Sequence, residues 1–196
     1  TKKKSGIRAI VRRNDEEAEG FAKMSVTLTL EDEIDVSRGD MLVSPHRLPH
    51  VSRHFDAMVV WFDEQPLALG RTYLIKHTVR GSRVKATGIE YRVEMEALRQ
   101  EPTHELRMND IGAVRFEAAS PLFFDLYATN RTTGSFILID PLTNATVGAA
   151  MIREAFATGE FFSQRLSSAP VEKLERYRGH GHGPALVLAT HRATLA

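Results

Sequence analysis

The sequence predicts an all-β protein of antiparallel strands closed into barrels, with a short α/β extension at its C-terminal end. The first observation is a period of two. Val26, Leu28 and Leu30 alternate with Ser25, Thr27 and Thr29, and Ile89, Tyr91, Val93 and Met95 alternate with Glu90, Arg92, Glu94 and Glu96. The second is that such runs are short and punctuated by Gly, Pro, Asp or Asn. The third is that no long helical period intervenes before Ile152. A parallel sheet would need crossovers of about a dozen residues between strands, so antiparallel closure follows.

The elements run in order from a strand over Gly6 to Val11. A second strand, Ser25 to Leu30, leads through the acidic Glu31-Asp32-Glu33 and an Arg38-Gly39-Asp40 turn into a strand ending at Val43. Further strands are expected at Ala57 to Phe62, Tyr73 to Val79, Val84 to Thr87, Ala113 to Ala118 and Phe123 to Ala128. A closing hairpin follows, with Phe136 to Ile139 as an apolar, β-branched run, Asp140 to Asn144 as turn formers, and Ala145 to Ile152 as the return strand. Gly134 ahead of it suits a tight approach or a positive backbone angle. Phe136 and Leu138 should face one side, Ile137 and Ile139 the other. Beyond Ile152, Arg153 to Ser168 is mixed in character. Pro170 to Arg178 starts as a charged helix with proline in its first turn, and Gly179 to Gly183 ends it before the apolar Pro184 to Ala189.

Composition narrows the function classes. A chain of 196 residues, 42% hydrophobic and 26% charged, buries one or two ordinary cores. The formal net charge of +1 gives no global electrostatic reason to bind nucleic acid or an acidic membrane. With no cysteine, disulfides and thiolate chemistry are excluded from this chain. Apolar runs such as Ala57 to Phe62 fall far short of the ~20 residues of a membrane-spanning helix, and Thr1-Lys-Lys-Lys4 has no hydrophobic stretch behind it. A cytoplasmic location is expected. Because the chain starts at Thr1 and enters a strand almost at once, it is expected to be part of a longer protein.

Histidines and carboxylates offer other chemistries. His46, His50 and His54 recur every four residues, which on a helix would align three imidazoles for zinc, but Pro45 and Pro49 break that helix. Solvated histidines in a linker are expected, and His180, His182 and His191 are read as loop residues. Asp15-Glu16-Glu17 and Glu31-Asp32-Glu33 are expected in solvated hairpin loops. Neither shows the desolvation or pairing that shifts a carboxyl toward acid or base work. No catalytic, cofactor-binding or metal-ligating residue is assigned.

The block Asn130-Arg-Thr-Thr-Gly-Ser-Phe-Ile-Leu-Ile-Asp140, with Phe55-Asp-Ala-Met-Val-Val-Trp-Phe62, Gly70-Arg-Thr-Tyr-Leu-Ile-Lys76 and Asn109-Asp-Ile-Gly112, resembles the last β-barrel of the large, GTP-binding subunit of bacterial sulfate adenylyltransferase, a relative of the translation elongation factors. Ser25 to Val43, with its Arg-Gly turn, resembles the end of the preceding barrel. The resemblance implies barrels of the translation-factor type, with residues 1–45 as the end of barrel domain II, 46–152 as barrel domain III, and 153–196 as a linker, short helix and first strand of a kinase-like domain. It also implies a regulatory subunit whose GTPase domain, with GTP and Mg, drives a catalytic subunit that makes adenylyl sulfate from ATP and sulfate.

Neither active site is expected in this chain. It has no Gly-x-x-x-x-Gly-Lys-Ser/Thr phosphate loop and no Asn-Lys-x-Asp guanine reader, so it should hold no GTP. Its expected partners are the GTPase domain and the catalytic subunit, with Arg131, Asn130, Asp140 and Asn144 as candidate interface residues. Gly181 to Thr190 resembles the lead-in of the adenylylsulfate kinase fused to some members, yet the chain continues His191-Arg-Ala-Thr-Leu-Ala196 without a phosphate loop. The alternatives are a translation-factor-like barrel that binds RNA, which would require a clustered basic and aromatic surface, and part of a bifunctional sulfate adenylyltransferase/adenylylsulfate kinase.

Overall fold

The computed structural model describes residues 2–156 and 186–190. All regular structure among them is strand: β1 (Lys2–Arg12), β2 (Asp15–Glu17), β3 (Thr27–Leu30), β4 (Met41–Val43), β5 (His50–Trp61), β6 (Thr72–His77), β7 (Arg80–Glu94), β8 (Arg99–Glu101), β9 (Ile111–Phe124), β10 (Ser135–Ile139), β11 (Thr146–Phe156) and β12 (Leu186–Thr190). The expected helix at Pro170 to Arg178 and the histidines at 180, 182 and 191 lie outside the described residues.

The chain divides into two compact units, one holding β1 to β4 with β12 and the other β5 to β11. In the first, β2 and β3 pair antiparallel with β1, and β12 lies parallel between β1 and β4. Leu186–Thr190, the described part of the run resembling a kinase lead-in, thus adds a strand to the sheet formed by the first 45 residues. Gly39, at φ 99°, makes the turn before β4, where the Ser37 amide donates to the Asp40 carboxylate at 2.9 Å.

The second unit is a closed six-stranded antiparallel barrel in the order β6-β10-β11-β5-β9-β7, with β7 pairing back to β6 and β8 extending one end of β7. Closure removes the sheet edges that would otherwise pair with other chains. The interior is filled by alternate residues: Phe55, Ala57, Val59 and Trp61 from β5, Val114 and Phe116 from β9, Phe136 and Leu138 from β10. Phe55, Phe116 and Phe136 form a mutual cluster with centroids 5.6 to 5.7 Å apart. Trp61 meets Tyr73 edge-on, and its indole N–H donates to the Gln65 carbonyl at 2.7 Å, so the largest core ring has its polar atom satisfied.

Several expected boundaries change. Val84 to Thr87 and Ile89 to Glu94 belong to one strand, β7, broken by bulges between Ala86 and Gly88 and between Ile89 and Tyr91, and Met95 falls in the turn that follows. The second bulge overturns the simple alternation at that point. Ile89 pairs with Val114 and packs on the core, whereas Tyr91 pairs with Ala113 and turns to the outer face. Phe123 and Phe124 end β9, and 125 to 134 is a turn region, not a strand. The acidic run Asp15–Glu17 is strand β2, although Asp15 and Glu16 remain exposed. His50 and His54 belong to β5, not to a linker, and His54 is only 3% exposed. Four residue steps along the strand separate them by about 13 Å, too far to share one ion.

Candidate docking face of the barrel

A barrel in water normally alternates apolar inside with polar outside. Here two adjacent rows of the outer face are apolar. Strand register aligns Val93, Ile111, Val60, Ala149 and Ile137 across β7, β9, β5, β11 and β10, ending at Lys76 on β6. The next row aligns Tyr91, Ala113, Met58, Met151 and Ser135. Apart from the buried Ala113 and the exposed Lys76, these side chains are half-buried. An extended outer apolar belt of this kind is the signature of a contact surface.

Over β5, β11, β10 and β6 the belt sinks into an open groove of about 680 Å³. Ala149 stands between the branched Val60 and Ile137, so its short side chain makes the floor concave. Lys76 and Arg131 stand at the margin, and no carboxylate lines the groove.

Arg131 is held out by a tightly bonded turn. Its carbonyl accepts from the Ser135 hydroxyl at 2.8 Å, and its guanidinium lies 6.0 Å from the Tyr127 ring centroid. Asn130 is a turn residue: its side-chain oxygen accepts from the Thr132 amide at 3.1 Å, its carbonyl from the Gly134 amide at 2.8 Å. Asp125 accepts from the Thr133 hydroxyl at 2.6 Å and from the Asn130 amide group at 3.3 Å. His77, 2% exposed, bonds through Nε2 to the Thr133 carbonyl at 2.7 Å. Burial lowers its pKa, partly offset by that bond, so the ring is neutral and Nε2–H is the donor. Gly134 explains the glycine of the block. Its φ is not positive, but a Cβ there would stand 2.5 Å from both N and Cα of Tyr127.

Asp140 and Asn144 stand at the other end of β10, about 16 Å away by strand rise. The four candidate interface residues therefore do not form one patch. Asp140 is 5% exposed and organises its own turn, accepting from the amides of Leu142 at 2.8 Å and Thr143 at 3.0 Å and pairing with Arg71. These backbone donors, with Arg71 adding to them, hold its pKa below the usual carboxylate range. Asn144, at φ 58°, closes that turn by donating its amide to the Asp140 carbonyl at 2.9 Å.

Next to the belt lies a charged row that the sequence did not disclose. Register places Glu154, Asp56 and Arg115 side by side on β11, β5 and β9, and Arg115 also pairs with Glu90 of β7. Asp56 is 2% exposed, with Arg115 Nε at 3.7 Å from Oδ1. Burial pushes its pKa up to about 8, reinforced by Glu90 and opposed by Arg115, so at neutral pH Asp56 keeps its proton and hydrogen-bonds Glu90. Arg153 makes a separate contact on the same face, donating to the Tyr91 hydroxyl at 2.7 Å. The only advance signal was a lone Asp among the apolar residues of β5, and its neighbours come from distant strands.

Residues 54–153 match the family described as GTP-eEF1A C-terminal domain-like, which is β5 to β11 almost entire. The chain belongs to that family. Among curated relatives, sulfate adenylyltransferase subunit 1 of Shewanella woodyi is 43% identical over 178 residues, covering 91% of this chain and 38% of the relative. The bifunctional enzyme CysN/CysC of Rhodopirellula baltica is 39% identical over 202 residues, covering 97% of this chain and 31% of the relative. The chain thus spans about a third of the length of these relatives. A solved structure of Sup35 complexed with GMPPNP superposes with TM-score 0.66 at 15% identity, covering 78% of this chain and 38% of that one, which establishes a shared fold. The elongation-factor-like barrel expected from the sequence is present.

Proposed function

We propose that this chain is the non-catalytic barrel region of the GTP-regulated subunit of sulfate adenylyltransferase, which activates sulfate with ATP to adenylyl sulfate in the cytoplasm during sulfate assimilation. The observation that carries this is the apolar outer belt, a surface built for contact, on a chain 43% identical to a sulfate adenylyltransferase subunit 1. The name "subunit 1" implies a second subunit, and that subunit is the partner proposed here together with the GTPase domain of the same polypeptide. GTP and Mg belong to that domain. The barrel serves as a rigid support through which the GTPase domain and the second subunit are held in register. An RNA-binding role is not favoured, because the belt is apolar and its single tyrosine offers no stacking platform.

The test is made in the full-length protein. Deleting residues 49–156 should leave GTP binding intact and abolish the GTP-stimulated formation of adenylyl sulfate by the second subunit. Stimulation that survives the deletion would remove the barrel from the regulated assembly.

A further inference from the structure

We infer that the groove over β5, β11, β10 and β6 receives an apolar segment of the second subunit flanked by carboxylates; the inference rests on the docking role proposed above and names the contact. Shape supports an apolar occupant. The floor consists of Val60, Ile137, Ala149 and Met151, with Ala149 as its low point. Four strands at about 4.8 Å spacing give the groove a breadth near 14 Å, the reach of about four extended residues.

Charge decides the flanks. Lys76 comes from β6 and Arg131 from the turn before β10; both are exposed, and the groove lining holds two cations and no anion. Neither forms an ion pair among the described residues. Carboxylates on the incoming segment would neutralise both at the rim, where such pairs set orientation and association rate more than affinity. The bonds of Ser135, Asn130, Thr133 and His77 hold the Arg131 turn in place before binding, so little backbone entropy is lost when the partner arrives. Nucleic acid fits poorly, since two cations and one tyrosine offer neither a phosphate track nor a stacking surface.

The experiment measures binding of the second subunit to the full-length protein, as wild type, as K76E/R131E, and as Ala149→Leu, which fills the floor. All substitutions are on the outer face, and equal melting temperatures will establish that the fold is kept. The expected result is a loss of affinity of tenfold or more in both variants, with the charge reversal also losing the salt dependence of the wild type. Wild-type binding with both variants within twofold of it would overturn the groove while leaving the docking role standing. Absence of wild-type binding would remove the docking role itself, and the groove with it. A photo-crosslinking residue replacing Ser135 identifies the occupant: adducts to an acidic segment of the second subunit support the inference, and adducts within the same polypeptide overturn it.

Discussion

Replacing Gly134 by alanine adds one methyl group at the point where the Arg131 turn meets the barrel. That methyl would stand 2.5 Å from the Tyr127 amide nitrogen and Cα and 2.7 Å from the Asn130 carbonyl oxygen, against the 3.4 to 4 Å of ordinary contact. All three clashing atoms are backbone, so no side chain can rotate away. Relief requires a displacement of nearly 1 Å between two segments joined by three bonds: Tyr127 amide to Ile152 carbonyl at 2.9 Å, Gly134 amide to Asn130 carbonyl at 2.8 Å, and Ile152 amide to Gly134 carbonyl at 2.7 Å. Overpacking costs about 1–3 kcal/mol and the loss of one of the three hydrogen bonds about 1 kcal/mol, for a total of about 2–4 kcal/mol. For a barrel of this size that corresponds to a fall in melting temperature of roughly 10 °C or more. Gly88→Ala is the control, because a Cβ there meets nothing within 4 Å. Thermal unfolding followed by circular dichroism reads both. A melting temperature for Gly134→Ala within about 2 °C of wild type would refute the steric argument.

Other perturbations probe the charged groups. Asp56 is raised from 3.8 to about 8 on folding, so the folded barrel binds the extra proton and its stability falls as pH rises from about 4 to 8. Asp56→Asn, which keeps the shape without the charge, should flatten that slope and gain most over wild type near pH 8; melting temperatures across the window that fall in parallel for both proteins would count against a protonated Asp56. Asp140 has the opposite sign. Its lowered pKa contributes stability above the usual carboxylate range that is lost as pH falls through the folded value, so Asp140→Ala should melt below wild type at pH 7 and approach it in acid, as followed by denaturant or thermal unfolding at each pH. Phe136→Ala removes one ring of the Phe55–Phe116 cluster and should cost about 3–5 kcal/mol in chemical denaturation.

What could be read in advance followed from local rules. Period-two alternation found most strands, and the Phe136/Leu138 against Ile137/Ile139 split was correct because the bulge at the end of this hairpin places its extra residue on β11 and leaves the alternation of β10 intact. Alternation failed at Tyr91, where a bulge set by the β9 pairing reverses the facing of the rest of β7, and that pairing is not visible within the strand itself. The His46–His54 spacing looked like a linker because two prolines interrupt it, yet Pro49 stands just before β5 and leaves His50 and His54 free to pair with β9. Arg131 was legible only as a candidate interface residue within the family-like block, and its neighbours in the groove come from β5, β6 and β11 and depend on closure of the barrel. The Asp56–Arg115–Glu90 row is of the same kind: three separate strands supply it, and one register fixes it.

The most direct test of the central proposal is a titration of this chain with the second subunit of sulfate adenylyltransferase from the same cell, alongside a titration of the chain with GTP. Saturable binding of the subunit, with no heat or displacement from GTP, is the predicted result. Failure to bind the subunit, or a stoichiometric GTP complex, would contradict a nucleotide-free docking barrel.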